Sequence, residues 1–444
     1  SWQWLHCLHQ LGRAENSILP DGWHRSTLGE VAKFLSGNTP SKENGAFWAG
    51  NFPWVTARDM KALWLNDTAL GLTEAGRTAG AIAPPLSILV LTRGMTLLKD
   101  LPVCLIEREM AFNQDIKALI SSPSVDAVFL AYQLLARKHE ILDLVDTAGH
   151  GTGRLDTHLL KSTEFSIPPL PEQRRIARIL STWDQAIATT ERLLANSRKQ
   201  KLALLAATLH SAPATNEAAA KSDNGGFPLS VQPGIPTLPP EPEGWRRVRL
   251  GDHLREVRRP VSLVDEDSYT LVTVKRSRGG VQQREILRGS EVKTPSQFFV
   301  RAGDFLISKR QIVHGACGIV PSDLDGAVVS NEYAVINTDG EIDLQFLRYL
   351  SESRYFQQTC FHSSIGVHVE KMIFKTERWL TWPFNIPALP EQKRVVEILD
   401  AATTEVDLIA AQLAALKQEK AALMAQLLTG KRRVRLDAEA TEAA

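Results

Sequence analysis

The chain is poor in cysteine, and no two of its cysteines stand close together. The four cysteines among its 444 residues are Cys7, Cys104, Cys317 and Cys360. Since no Cys-x-x-Cys pair is present, the sequence argues against a structural zinc site and against a disulfide framework. We therefore expect a protein of the reducing cytoplasm that holds no metal and no cofactor.

Long apolar runs and an excess of one charge are also missing. The longest apolar stretch, residues 81–91, is broken by two prolines and is too short to cross a bilayer. Lys and Arg number 51 against 50 Asp and Glu, so the total charge gives no argument for nucleic-acid binding. Basic residues are nevertheless concentrated locally, with fifteen Lys or Arg against eight Asp or Glu in residues 245–310.

Two kinds of enzyme motif are absent. The only Gly-Lys pair, Gly430-Lys431, lacks the preceding glycine and the following Ser or Thr of a phosphate-binding loop. None of the Pro-Pro pairs follows Asn or Asp, as the turn of an adenine methyltransferase would require. Carboxylate-lysine nuclease sites vary too much to be excluded by pattern, so a nuclease or methyltransferase with a degenerate site stays open.

The most informative feature that is present is a long internal repeat. Residues 167–180 and 386–399 share nine identities in fourteen positions at an offset of 219, including the phrase Leu-Pro-Glu-Gln. A period near half the chain length predicts two copies of one large module, because solenoid units repeat every 20 to 50 residues or so. Both halves also open alike, with Gly22-Trp23 and Gly244-Trp245.

Each opening is followed by short β-branched runs separated by Gly, Pro and Asn, which is typical of strands and turns. We predict a compact α+β domain in each half, over residues 22–165 and 244–384. A glycine-rich stretch, residues 149–153, is interpreted as a turn rather than a phosphate loop, and Gly366 lies in the matching place of the second half.

Each Leu-Pro-Glu-Gln phrase predicts the start of a long helix, since proline is favoured in a first helical turn and glutamate complements the helix dipole. The segments over residues 166–210 and 385–432 are expected to form these helices, and a helix of roughly 40 residues is about 60 Å long at 1.5 Å per residue. Apolar residues recur at 3,4 spacing, which predicts an antiparallel coiled coil, and a Lys in each seam suggests register specification. The residues expected to pair the helices and dock partners are Trp183, Ile187, Leu194, Lys201, Leu204, Val406, Ile409, Leu413, Leu416, Lys420 and Leu423.

The remaining segments connect or flank these parts. Residues 211–243 are rich in Ala, Ser, Pro and Gly, which is the composition of a flexible linker. Residues 1–21 have no counterpart in the second half and form an N-terminal extension, and residues 433–444 form a C-terminal tail.

Two strand-rich domains, each followed by Leu-Pro-Glu-Gln and a heptad helix, resemble the DNA-specificity subunit of type I restriction-modification systems. The resemblance covers residues 20–432 and gains weaker support from residues 112–116 and from the Gly-Trp openings. It implies two target-recognition domains that each read one half of a split, asymmetric site on double-stranded DNA. It also implies that the helices set the spacing and dock modification subunits, two in number.

The family's specificity subunit is not an enzyme. Its modification partners methylate DNA, and in the full complex restriction subunits add ATP-dependent translocation and cleavage. The resemblance therefore implies no catalytic residue in this chain and no membrane attachment.

Candidate DNA contacts were chosen where a strand meets a polar loop, because Arg and Lys bind phosphates and guanine edges. The pairing of Thr56-Ala57-Arg58 with Thr273-Val274-Lys275 suggests equivalent loops in the two domains. The candidates are Arg58, Lys61, Arg77 and Arg93 in the first domain and Lys275, Arg276, Arg278, Lys309, Arg310 and His314 in the second. A coiled-coil assembly protein without a DNA role is a further alternative, and it would lack the salt-dependent affinity of a phosphate-binding protein.

Overall fold

The computed structural model describes residues 19–148, 151–214, 227–228, 230–294 and 296–435. The chain divides into two compact units. One consists of residues 1–191 and 411–444, and the other of residues 192–410. Each unit therefore holds one domain, the first part of one long helix and the last part of the other. The predicted extension over residues 1–18 lies outside the described residues.

The first unit contains fourteen strands and the helices that accompany them. Its strands are β1 His24–Thr27, β2 Ala32–Ser36, β3 Trp48–Val55, β4 Trp64–Leu65, β5 Leu70–Leu72, β6 Ile82–Ala83, β7 Ile88–Leu91, β8 Arg93–Gly94, β9 Val103–Ile106, β10 Met110–Phe112, β11 Ile116–Ser121, β12 Val145–Ala148, β13 Thr152–Leu155 and β14 Glu164–Ile167. Its short helices are α1 Leu28–Val31, α2 Glu74–Ala79, α3 Ala127–Ala136, α4 Lys138–Leu142 and α5 Thr157–Ser162, and the first long helix is α6 Leu170–Thr208.

The second domain repeats this order with its own strand lengths. Its strands are β15 Trp245–Arg249, β16 Leu254–Val257, β17 Pro260–Val261, β18 Ser268–Val274, β19 Val281–Arg288, β20 Gln297–Phe299, β21 Phe305–Ser308, β22 Cys317–Ile319, β23 Val328–Ser330, β24 Tyr333–Thr338, β25 Ser364–Ile365, β26 Ile373–Phe374 and β27 Pro383–Pro387. Its helices are α7 Leu344–Leu350, α8 Arg354–His362 and α9 Thr376–Trp379, and the second long helix is α10 Leu389–Leu427.

The two domains share a sheet plan. In the first, the sheets have the orders β5-β3-β10-β6 and β2-β11-β7-β9-β4, and in the second β17-β20-β23-β18-β19 and β16-β24-β21-β22. Both plans contain a parallel pair in the matching place, β3 with β10 and β18 with β23, and the first domain has a second parallel pair, β4 with β9. The first and last strands of each domain pair with one another, β1 with β14 and β15 with β27. Each domain is thus closed just before its long helix begins.

The cores follow from the apolar runs. Strand β7, with the sequence Ile-Leu-Val-Leu, lies inside its sheet and is buried at every residue, and strand β21 is buried in the same way. A strand covered on both faces is a continuous apolar run rather than an alternating one. Helix α3 packs on the first of these sheets, with Phe129 and Tyr132 fully buried.

The long helices confirm the predicted coiled coil. In the first unit Lys420 pairs with Asp184 and Lys417 pairs with Glu191, so the helices run antiparallel. In the second unit the Ser197 hydroxyl donates to the Glu405 carboxylate at 3.0 Å. The seam residues predicted on both helices are buried or half-buried throughout.

The end of α6 departs from the predicted seam. Leu205 and Leu209, which were not predicted to lie in the seam, are 0% and 3% exposed and belong to the core of the second unit, whereas Leu204 is half-buried. The reason is that α6 packs at its end on the second domain, so a different stripe of the helix is covered.

Several described residues of the predicted linker contact the second domain. The backbone of Ala212 and Ala214 bonds to the turn between α7 and α8, and the amide of Asn385 donates to the carbonyls of Pro239 and Pro240. Val231 is fully buried. Composition predicted flexibility, but these short apolar side chains find a surface to pack on. The rest of this linker lies outside the described residues.

A buried glutamine fixes the start of each long helix. Gln173 is 1% exposed, and its Nε2 donates to the carbonyl oxygens of Ser124 at 3.1 Å and Pro168 at 2.8 Å. Its Oε1 accepts from the backbone N–H of Asp126 at 2.8 Å. Asp126 is the N-cap of α3 and accepts from the Phe129 N–H. One amide therefore joins the first turn of α6 to the first turn of α3.

The second copy repeats this arrangement bond for bond. The Nε2 of Gln392 donates to the carbonyls of Glu341 at 2.8 Å and Pro387 at 2.9 Å. Its Oε1 accepts from the N–H of Asp343 at 2.7 Å, and Asp343 caps α7. The repeated Gln is explained by this bonding, because the site needs two donors and one acceptor from a single side chain.

We expect Gln173→Glu and Gln392→Glu each to lower the free energy of unfolding by more than about 2 kcal/mol. A carboxylate cannot donate to the two buried carbonyls, and each unpaired group costs about 1–3 kcal/mol. Urea denaturation measures the effect, with Gln185→Glu at an exposed position of α6 as the matched control. An equal loss in the control would assign the effect to the added charge instead.

Candidate nucleic-acid interface and helix surface

The loop after strand β3 presents the first pair of candidate cations. The carboxylate of Asp59 accepts from the backbone N–H and the hydroxyl of Thr56, both at 2.8 Å, and from the N–H of Ala69 at 3.0 Å. This bonding ties down the loop from both sides. Arg58 and Lys61 lie on it with exposed side chains.

The turn over residues 112–116 connects this loop to the end of strand β7. The N–H of Asn113 donates to the carbonyl of Val55, the last residue of β3. The carbonyl of Asp115 accepts from the N–H groups of Thr92 and Arg93 at 2.8 and 3.3 Å. The short polar motif that supported the resemblance is therefore the piece that joins two candidate loops.

Arg93 and Arg77 differ in their surroundings. Arg93 is exposed on β8 and lies opposite Arg154 of the β12–β13 hairpin. Arg77 instead contacts the carboxylate of Glu109 at 3.0 Å and stacks on the Phe52 ring, with 4.8 Å between its guanidinium carbon and the ring centroid. Glu109 stands just before β10, and Phe52 lies within β3, so both precede the strand ends from which the candidate loops emerge. The structure therefore does not bring Arg77 to that edge.

Three loops converge in the second domain. They are the turn between β18 and β19, the loop after β21 and the β25–β26 hairpin. The N–H groups of Ser277 and Arg278 donate to the carbonyls of His314 and Gly315, each at 2.8 Å. On the other side the N–H of Phe374 donates to the carbonyl of Lys309 at 2.8 Å. The first two loops carry all six candidates of this domain.

Four of the five Lys and Arg candidates among these six already have partners in the second unit. The Nζ of Lys309 lies 2.9 Å from Glu256, and Arg310 forms an ion pair with Glu332. Arg276 lies 2.7 Å from Glu370. Arg278 donates to the carbonyl of Ala214 at 3.1 Å and is half-buried. Lys275 is exposed and, like Arg58, Lys61 and Arg93, makes no ion pair with any described residue.

His314 does not fit the expected role. Its side chain is 1% exposed, with Nδ1 2.8 Å from the Ser230 hydroxyl. Its Nε2 lies 3.2 Å from Glu370 without hydrogen-bonding alignment. Burial lowers the pKa of this histidine, and the nearby Arg276 lowers it further against the opposing effect of Glu370. A buried imidazole that organises loops is the role that the structure supports.

The β25–β26 hairpin, residues 364–374, belongs to this site although no candidate residue from the sequence lies on it. Glu370 on this hairpin joins Arg276 and His314, and Lys371 and His368 beside it are exposed. The available signal was Gly366, which was recognised only as a turn. Its position is confined, because a Cβ there would lie 2.9 Å from the Cα of Met372.

The described residues contain no group of three or more His, Cys, Asp or Glu side chains placed to hold a metal ion. No described helix is long and apolar enough to cross a membrane. Cys104, Cys317 and Cys360 are buried free thiols, and Cys7 lies outside the described residues.

Comparison with known sequences gives a family. Residues 20–196 match the type I restriction modification DNA specificity domain. The chain is 31% identical over 161 residues to the Escherichia coli EcoR124I/EcoR124II specificity subunit, covering 36% of this chain and 40% of that protein. It is 22% identical over 445 residues to the MjaVIII specificity subunit of Methanocaldococcus jannaschii, covering 94% of each. It thus spans less than half of the first relative and nearly all of the second.

Solved structures share the fold. The S subunit of a type I restriction-modification system from M. genitalium aligns with a TM-score of 0.54 at 14% identity, covering 93% of this chain and 97% of that one. A chain from a study of complex assembly and conformational transition of a type I system aligns at 0.51 and 19% identity, covering 94% and 100%. The chain thus carries a type I restriction modification DNA specificity domain over residues 20–196 and is similar to a type I specificity subunit over nearly its whole length. The resemblance predicted from the internal repeat is confirmed.

A tyrosine in each domain holds the long helix that follows that domain. The Tyr132 hydroxyl donates to Asp184 at 2.6 Å, and the Tyr349 hydroxyl donates to Asp400. Burial raises the pKa of both phenols, that of Tyr349 to about 12, and the carboxylate contact adds to the effect. At the repeat offset of 219, Asp184 aligns with Thr403. The acid of the second copy, Asp400, therefore lies about one helical turn before the position that matches Asp184.

This difference gives the two seam lysines different partners. The Nζ of Lys420 lies 2.5 Å from Asp184 and 5.2 Å from the centroid of the Tyr132 ring. Lys201 has Thr403 in the place of that aspartate and lies 3.8 Å from Glu352 instead. The same residue at the same seam position is therefore held more closely in the first unit.

We predict that Lys420→Met lowers the free energy of unfolding by about 1–2 kcal/mol, because it leaves a half-buried Asp184 without its cation. Lys201→Met should cost less than about 1 kcal/mol, since its ion pair is longer. Denaturant unfolding of both variants measures the difference. In an Asp184→Thr background the cost of Lys420→Met should shrink, and an unchanged cost would show that the ion pair contributes nothing.

Proposed function

We propose that this specificity subunit reads a split, asymmetric site on double-stranded DNA, one half with each domain. The observation that carries the proposal is a repeated frame with unlike loops. The turn over residues 112–116 holds Arg93, and its counterpart holds Lys309 through the carbonyl of Glu332 at 2.8 Å. The two backbone bonds are equivalent, but the side chains at these positions differ. Arg93 is exposed in one domain, and Lys309 is paired with Glu256 in the other.

The proposed contacts are the exposed cations on converging loops. They are Arg58, Lys61, Arg93 and Lys275. Arg276 and Arg310 are added to them, because a phosphate can replace the carboxylate in each of their ion pairs. Arg276 and Arg310 are 50% and 51% exposed, and so are accessible to DNA. Lys309, Arg278 and His314 are assigned instead to holding the loops, and Arg77, which lies away from them, is not proposed as a contact.

The chain is proposed to act without catalysis of its own. Methylation would come from two modification subunits, and ATP-dependent translocation and cleavage from restriction subunits of the full complex. The place of action would be the cytoplasm. These assignments rest on the family, whose members are named as specificity subunits.

The long helices are proposed to set the distance between the half-sites and to dock the modification subunits. Each helix is 39 residues long, or about 60 Å, which compares with about 34 Å for one turn of B-DNA. Leu193 and Leu408 support docking because they are 49% and 66% exposed on these helices. Neither belongs to the predicted seam.

Exchange of residues 244–384 for those of another specificity subunit tests the proposal directly. Mapping of methylated adenines in the host should show one half of the recognised motif changed and the other half kept. A change in both halves would contradict the assignment of one domain to one half-site. Unchanged methylation would contradict the proposed function as a whole.

Lys275→Ala with Arg276→Ala should weaken DNA binding and reduce the slope of log affinity against log salt by about two, one for each phosphate that is no longer neutralised. Titrations of the complex at several salt concentrations measure this slope. Arg246→Ala with Arg301→Ala is the control, because both arginines are exposed and ion-paired in the same domain. Equal slopes for the two double variants would remove these loops from the interface.

We expect Leu408→Asp to weaken assembly with modification subunits about tenfold or more. Its free energy of unfolding should change by no more than about 0.5 kcal/mol, because the side chain is exposed. Leu413→Asp and Leu194→Asp, in the seam, should instead disrupt the helix pair. Gln412→Asp, exposed on the same helix, is the matched control, and normal assembly of Leu408→Asp would refute this docking surface.

A further inference from the structure

The β25–β26 hairpin has one buried and one exposed face. Ser364 pairs with Phe374, and Ile365 pairs with Ile373. Since alternate residues of a strand point to opposite faces, the first pair faces inward, at 8% and 2% exposed. The isoleucines stand side by side on the outer face, at 49% and 40% exposed.

Val367, at the tip of the same hairpin, is 95% exposed. Single exposed apolar side chains are common on protein surfaces, but a cluster of them marks an interaction site. Three branched aliphatic residues on one short ribbon form such a cluster. They are 40–95% exposed and so leave an apolar surface open on this hairpin.

The hairpin is held to the domain at its base, where the N–H of Phe374 donates to the carbonyl of Lys309 at 2.8 Å, and bonds within its loop order the tip. The N–H of Lys371 donates to the carbonyl of His368 at 2.8 Å, and that of Met372 donates to Val369 at 3.3 Å. Glu370 connects the tip to Arg276 of the neighbouring turn. The turn that carries the proposed phosphate contact Arg276 therefore also helps to position Val367.

The charges around the aliphatic cluster favour a polyanion over an apolar protein partner. Lys371 and His368 are exposed on the hairpin, and Lys275 and Arg276 are exposed on the neighbouring turn. The opposing acid is Glu370, which is already paired with Arg276. An apolar ribbon bordered by cations matches DNA, whose base edges carry methyl groups between two rows of phosphates.

We propose that the β25–β26 ribbon enters the major groove of the second half-site and that Val367 recognises the methyl group of a thymine. The inference rests on the proposed function and names a specificity-determining residue for it. The major groove, about 12 Å wide, admits a two-stranded ribbon, whereas the minor groove is about 6 Å wide. The thymine C5-methyl is the apolar group that base pairs display in the major groove.

The test combines removal of the valine methyls with removal of the thymine methyl. Binding of the complete modification complex is measured for wild type and Val367→Ala, on duplexes in which each thymine of the second half-site is replaced in turn by uracil. Wild type should lose about fourfold in affinity at one thymine, the equivalent of one buried methyl group. Val367→Ala should lose affinity for the thymine duplex to a similar extent and be insensitive to uracil at that position.

Val264→Ala is the matched control, because Val264 is 49% exposed in the same domain and outside the ribbon. It should bind both duplexes as wild type does. The proposal is overturned if Val367→Ala still responds to uracil, if it binds thymine duplexes like wild type, or if the half-site has no thymine on either strand. Loss of subunit assembly in Val367→Ala, with isolated DNA binding intact, would make the ribbon a protein contact.

These outcomes are separable from failure of the proposed function. If wild type shows no preference for any half-site sequence, then the function itself is refuted. If wild type is sequence-specific and only the uracil dependence is missing, then the ribbon inference alone fails.

Discussion

Two buried amides, those of Gln173 and Gln392, hold the two domains to the long helices that follow them. Each satisfies two carbonyls and one N–H away from water, where an unpaired group would cost about 1–3 kcal/mol. The amide thus fixes the first turn of a 39-residue helix against the capped start of a domain helix. Any spacing that the helices impose on DNA depends on this joint, because an error of angle at the start grows along the helix.

The helix seam is polar where a uniform coiled coil would be apolar. Asp184 receives both a tyrosine hydroxyl and the ammonium of Lys420, whereas Thr403 at the equivalent position leaves Lys201 to a more distant glutamate. A charge placed half inside a seam is stabilised only by a partner in the right register. The two copies therefore share a helix pattern but differ in the polar contacts that hold each helix.

The loops proposed to contact DNA hold several cations close together, and these cations need partners of opposite charge when no DNA is bound. Glu256, Glu332 and Glu370 each neutralise one of them. The exposed pairs have modest strength, since surface ion pairs are worth about 0–1 kcal/mol, so phosphates can displace the acids. The buried pairs cannot exchange as readily, which is why Lys309 is assigned to the frame of the site and Arg276 to its surface.

The sequence by itself determined the two modules, the helices and most of the seam, because helical contacts are local and recur at a fixed spacing. Only the tertiary structure decided which cations share a site. Arg276 and Glu370 are 94 residues apart in the chain, and no local pattern encodes their contact. It also decided that Leu205, outside the predicted seam, belongs to a domain core and that His314 is buried. Burial depends on which surfaces meet, and those surfaces come from distant parts of the chain.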